Sequence, residues 1–131
     1  MRKIKLSYDI TSAWFKGDMA NNAEIARRFI APYKGALKQH DKLEEFKMKL
    51  EISSGIEERR ALVAILNYFE CISLLLEDDL IDEAILKKCF KTTFRTYYIN
   101  LKEFIEDWQR GNDGANHRIF INFVALAKKM E

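Results

Sequence analysis

Residues 62–108 read LVAILNYFECISLLLEDDLIDEAILKKCFKTTFRTYYINLKEFIEDW. In the first half, Leu62, Ile65, Leu66, Phe69, Ile72 and Leu76 recur at helical spacing, and a second face carries Val63, Asn67, Glu70 and Leu74. A helix apolar over so much of its circumference packs on several sides, so this segment is predicted as the central helix, running from about Gly55 to Glu77. Ser54 and Glu57 stand before it in the S-x-x-E spacing of a capping box. In the second half, Leu86, Phe90, Phe94, Tyr97, Leu101, Phe104 and Trp108 follow one another in fours and threes, with Ile81, Ile85 and Cys89 widening the face at its start. Asp82 is placed to cap this helix, and Ile81 and Leu86 occupy the two positions of a hydrophobic staple. A turn this short makes the two helices antiparallel neighbours. The expected fold is all-α, a five- to six-helix bundle around a central antiparallel helical hairpin.

Upstream of the hairpin the signals weaken. Residues 1–17 are the least determined part: a loose basic tail, then a short helix capped by Ser7, carrying Ile10, Trp14 and Phe15 and ended by Gly17. Asn21 or Asn22 is expected to cap a second helix with Ile25, Phe29 and Ile30 on one face. Pro32 kinks or ends it, because proline lacks the amide and crowds the preceding turn. Tyr33 to Gln39 is expected to continue helically, and Asp41 to restart the chain with Leu43, Phe46 and Leu50 inward. After Gly111 and Gly114, Asp113 is expected to cap a last helix with Ile119, Phe123, Leu126 and Met130 inward.

The chain has 131 residues, 48% of them hydrophobic and 32% charged, which suits one globular domain spanning 1–131. One proline and five glycines leave few turns, so helices are favoured over a many-stranded sheet. The formal net charge of +2 is too small to predict nucleic-acid binding by itself. No apolar run approaches the length a membrane span needs, and the start lacks a signal-peptide core, so a cytoplasmic protein without membrane contact is expected. Cys71 and Cys89 each lie nine residues from Leu80 and so at one level of the hairpin. A disulfide is geometrically conceivable, but two small core thiols are the expectation in a reducing compartment.

Asn67 and Glu70, one turn apart, are the polar pair that asks for an explanation. A buried carboxylate must be paired or protonated, and Arg60, Arg95 and the Tyr97 or Tyr98 hydroxyls are candidate partners. Arg60, Asn67 and Glu70 are therefore read as a buried polar network. A structural role in fixing helix register is favoured over a pocket in which Glu70 serves as acid or base. His40 and His117 lack a second ligand at helical spacing, and no metal or cofactor motif occurs, so no catalytic, metal or cofactor residue is expected. The basic pairs Arg27-Arg28, Arg59-Arg60, Lys87-Lys88 and Lys128-Lys129 read as solvated faces. Trp14 and Phe15, in a weakly anchored segment, read as an exposed aromatic pair suited to binding a protein.

The run from Arg60 to Ile72, with Asn67 and Glu70 in an R-x6-N-x-[FY]-E pattern, and Leu80-Ile81-Asp82-Glu83 after it, resembles the domain of unknown function 4760 family of bacteria and phages. The resemblance covers roughly Ile56 to Met130. It implies a helical fold, a microbial setting with phage–host conflict as one context, and a simple structural role for Arg60, Asn67, Glu70 and Asp82. Many members of the family carry membrane helices before this domain, which this chain does not show, and the resemblance implies no activity. The functional expectation is a small non-enzymatic protein-binding module, a defence component or inhibitor. The alternatives are a nucleic-acid-binding helical protein and an enzyme with a polar pocket at Glu70.

Overall fold

The computed structural model describes residues 2–130. Six α-helices follow in order: α1 (Arg2–Ala13), α2 (Gly17–Ile30), α3 (His40–Glu51), α4 (Ile56–Glu77), α5 (Glu83–Arg110) and α6 (Ile121–Lys129). Short 3₁₀ turns at Ala31–Tyr33, Ser53–Gly55 and Asn112–Gly114 join them, and no strand occurs among the described residues. The all-α expectation holds.

The central hairpin is where periodicity placed it. Phe69 of α4 lies 4.6 Å, centroid to centroid, from Phe94 of α5, while Leu62 shares a hollow with Phe104 and Trp108, so the two helices run antiparallel. Their backbones nonetheless stay apart; α4 approaches α2 and α6 most closely, and phenylalanine rings fill the α4–α5 gap. Phe123 of α6 completes the cluster, 5.1 Å from Phe69. A second cluster centres on the fully buried Phe46 of α3, with Phe29, Tyr33 and Phe104 at 4.9, 5.2 and 5.1 Å. At 28 residues α5 is the long spine, about 42 Å by helical rise, and α1, α3 and α6 all pack along it.

Asp82 caps α5 as expected, its carboxylate accepting from the Ile85 amide at 2.9 Å, and the staple residues Ile81 and Leu86 are both buried. The end of α4 is a Schellman motif. The Leu80 amide donates to the Leu75 carbonyl and the Asp79 amide to Leu76, with Asp79 in the left-handed region at φ +59°.

The N-terminal segment differs from its expectation. Arg2 onward is helical rather than a loose tail, and Met1 lies outside the described residues. Ser7 is not a cap; it sits mid-helix, buried, where its hydroxyl donates to the Lys3 carbonyl and accepts from the Asp82 amide at 2.7 Å. In a capping box the acid three residues on satisfies the amide of the cap residue; here a serine from another helix does so. Lys3 pairs with Asp79, and the Tyr68 hydroxyl donates to the Ile10 carbonyl, so α1 is tied to both sides of the hairpin turn. Gly17, at φ +54°, breaks α1 from α2 as expected, but α2 begins there and not at Asn21 or Asn22.

Other local expectations are corrected too. Pro32 ends α2, but Tyr33 to Gln39 forms tight turns instead of a further helix, and α3 starts one residue before Asp41. Ser54 makes no capping bond; Ser53–Gly55 closes into a 3₁₀ turn pressed against the end of α3. Cys71 and Cys89 are free and exposed, so the core-thiol reading fails and no disulfide joins them. Asp113 lies in a turn eight residues before α6 and caps nothing there.

Candidate binding cleft

The predicted Arg60–Asn67–Glu70 network does not form. Arg60 and Asn67 are exposed, as is Arg95, and Glu70 finds its partners elsewhere. Its carboxylate accepts from the Phe123 amide at 2.7 Å, the Asn122 side-chain amide at 2.9 Å and, weakly, the Asn122 backbone amide at 3.4 Å. Those amides belong to the first turn of α6, whose own cap position is Phe120, a residue with no side-chain acceptor and a left-handed φ of +55°. Glu70 is thus the missing N-cap of α6, supplied across the bundle, and its negative charge also complements the helix dipole. Glu70→Ala should cost about 2 kcal/mol, combining a lost cap with stranded amides, and Glu70→Gln about half that. Urea unfolding followed by circular dichroism measures both; equal midpoints for wild type and Glu70→Ala would contradict the capping role.

The expected aromatic pair also splits. Trp14 is buried, its ring stacked on Phe69 at 5.2 Å and edged by Phe90 and Tyr97 at 5.8 and 6.0 Å. Only Phe15 points out, 68% exposed. It stands at the mouth of an open cleft of about 610 Å³ between α2 and α5.

The two walls of this cleft are unlike. On the α2 side are Ala20 and Ala23, whose small side chains leave the space open, with Glu24, Arg27 and Ile30 beyond them and Lys34 at the far end. On the α5 side are Thr92, Thr93, Thr96, Tyr97 and Asn100, an uncharged polar stripe recurring every three or four residues. Asn100 is only 8% exposed, and no hydrogen bond among the described residues engages its carboxamide. The same holds for the threonine hydroxyls of this stripe, whereas Ser7, Thr11, Ser12 and Ser73 all fold back onto carbonyls of their own helices. Apolar periodicity does not single out this stripe, because its residues are polar and uncharged. Its signal is TTFRTYYIN, three threonines, a tyrosine and an asparagine brought to one side of a helix by their spacing.

A family model described as Domain of unknown function (DUF4760) matches residues 1–130. The chain belongs to that family. The match reaches well beyond the Ile56–Met130 stretch on which the resemblance was read, so α1 and α2 are part of the DUF4760 domain as well. No curated protein and no solved structure matches the chain. Of the residues carrying the DUF4760 resemblance, Asp82 and Glu70 are both helix caps, one local and one remote, while Arg60 and Asn67 face solvent.

Electrostatics in the cleft are set by Glu24. It accepts from Arg27 at 2.6 Å and Arg28 at 2.9 Å, and the Arg27 hydrogen bond holds its carboxyl below the usual range. Burial pushes the Tyr97 hydroxyl up to about 12, with nearby Arg27 pulling against it. An unfolded tyrosine ionises near 10, so between the two values the unfolded chain releases a proton that the folded one retains. Stability present below pH about 10 is therefore lost as the pH rises toward about 12. Tyr97→Phe should flatten that alkaline fall, read as urea midpoints at about pH 9 and about pH 11 for both proteins.

Among the described residues, no group of His, Cys, Asp and Glu is placed to hold a metal ion, and no helix is long and apolar enough to cross a membrane.

Proposed function

We propose that this protein is a small non-enzymatic binding module that engages another protein through the α2–α5 cleft, with Phe15 as an anchor. The observation carrying this reading is Phe15, at 68% the most exposed large apolar side chain among the described residues, at the mouth of a 610 Å³ cleft. An aromatic left in water beside a concave surface is the kind of residue that dominates binding energy when a partner covers it. The titratable groups of the cleft suit binding better than proton transfer near neutrality: Glu24 is committed to two arginines, and Tyr97 ionises only in strong alkali. The microbial conflict setting implied by the family resemblance belongs to the same reading, with the protein as defence component or inhibitor.

Phe15→Ala tests it. The substitution should leave the unfolding midpoint within about 0.5 kcal/mol of wild type, since the ring is exposed. It should also deplete the protein that co-purifies stoichiometrically with the wild-type chain from its host. Identical recovery with Phe15→Ala and wild type would refute the role of Phe15. Retention on heparin or DNA beyond that of a neutral control would instead favour a nucleic-acid partner.

A further inference from the structure

We infer that a hollow where α2, the end of α3 and the start of α4 meet is a binding site for a small organic cation, an ammonium group on an apolar body. The hollow measures about 580 Å³ and shares no lining residue with the α2–α5 cleft, so it is independent of the protein-binding reading. Tyr33 and Glu58 both line it. Tyr33 Oη and Glu58 Oε2 are the two buried side-chain oxygens without a hydrogen-bond partner among the described residues. Tyr33 is only 3% exposed, and both oxygens are closed off from bulk water. A buried polar atom left unmatched is costly, and two such atoms bordering one hollow mark it as built for something that completes them.

The chemistry of the two oxygens selects the ligand. An ionised carboxylate can only accept, and a phenol oxygen can accept as well, so the missing partner is a donor. An ammonium carries three N–H groups and no acceptor, and placed between the two oxygens it serves both. Charge points the same way. Arg28 is held by Glu24 at 2.9 Å, which leaves Glu57 and Glu58 against Lys49 and a negative excess around the hollow. Phe29, Pro32 and Ile52 supply apolar wall for the body of the ligand.

Lys49 shows that this wall already attracts a cation. Its ammonium lies 5.2 Å from the centroid of the Tyr33 ring, over the π face, yet leaves the hydroxyl without a hydrogen bond of normal geometry. Lys49 is exposed, so a ligand ammonium can displace it into water at little cost. It is a competitor for the site, not its occupant.

The test is a titration of the full chain with phenethylammonium, with phenylacetate and phenethyl alcohol as anionic and neutral controls, followed by amide NMR shifts. Saturable shifts around Tyr33 and Glu58 are expected from the amine, with a Kd of about 1 mM, ordinary for a ligand of about nine heavy atoms. Glu58→Gln should weaken binding about tenfold or more, and Tyr33→Phe about threefold. Tyr33→Phe removes an unmatched hydroxyl, so its unfolding midpoint should stay level or rise, which separates a ligand contact from a folding defect. Lys49→Met removes the competing cation and should tighten binding. No saturation by ~10 mM amine would overturn the inference, as would phenylacetate binding equally well. Unchanged affinity in Glu58→Gln or Tyr33→Phe would do the same, leaving water to complete the two oxygens. So would a lowered midpoint for Tyr33→Phe, since the hydroxyl would then be matched within the fold, or weaker binding by Lys49→Met, since the lysine would then attract the ligand.

Discussion

Trp14→Ala is expected to lower folding stability by about 4 kcal/mol, the range found when a large buried aromatic is truncated without collapse of its site. The indole lies within 6.0 Å of four other rings, Tyr68, Phe69, Phe90 and Tyr97, drawn from both helices of the hairpin. It is the contact through which the α1–α2 junction enters the core, so its loss opens a cavity and also frees the junction. From sequence, the same substitution is expected to weaken a complex and spare the fold; burial reverses that. Chemical unfolding of Trp14→Ala beside Phe15→Ala separates neighbouring residues with opposite roles, one read by stability and the other by binding. A loss below about 1 kcal/mol for Trp14→Ala would show that the ring is dispensable to the core.

What could be read from the chain divides by the range of the interaction. The bounds of α4 and α5, the Asp82 cap and the Ile81–Leu86 staple all depend on residues a few positions apart, and they stand where spacing put them. Two misreadings have a common cause in distance along the chain. Ser7 satisfies the amide of Asp82, and Glu70 satisfies amides at 122 and 123, so each serves a helix whose start cannot be seen from its own neighbourhood. Phe120 offers no side-chain acceptor at the cap of α6, so the first amides of that helix are left to an acceptor from elsewhere in the bundle or to water.

The misplaced network has a different cause. Arg60, Asn67, Cys71 and Leu74 form the solvent-facing strip of α4, and two of its four members are apolar by type. That disguise made the helix look buried all round, and so made Asn67 look buried with it. The cleft was hidden for the reverse reason. Tyr97 belongs by spacing to the core stripe of α5, yet its neighbours Thr93, Thr96 and Asn100 turn the same side of the helix into a polar wall once α2 stands off from it.

Gly55→Ala is expected to cost about 3 kcal/mol, although glycine is not required there for its backbone angles. Gly55 has φ −102°, which any residue adopts, so the usual argument from the left-handed region does not apply. The constraint is space. A Cβ at this position would lie 1.8 Å from the carbonyl oxygen of Lys49 and 3.0 Å from its carbon, both backbone atoms that no rotamer change can move. The turn Ser53–Gly55 presses the start of α4 onto the last turn of α3, and relief requires the two helices to separate. That movement would disturb Leu50, buried in the last turn of α3, and through it the core around Phe46. Gly17→Ala is the control: nothing lies within 4 Å of its Cβ, so only the positive φ opposes the change, and a cost of about 1 kcal/mol is expected. Urea unfolding of the two variants side by side should place Gly55→Ala well below Gly17→Ala. The reverse order would mean that the α3–α4 junction yields easily and that close packing there does not hold the bundle together.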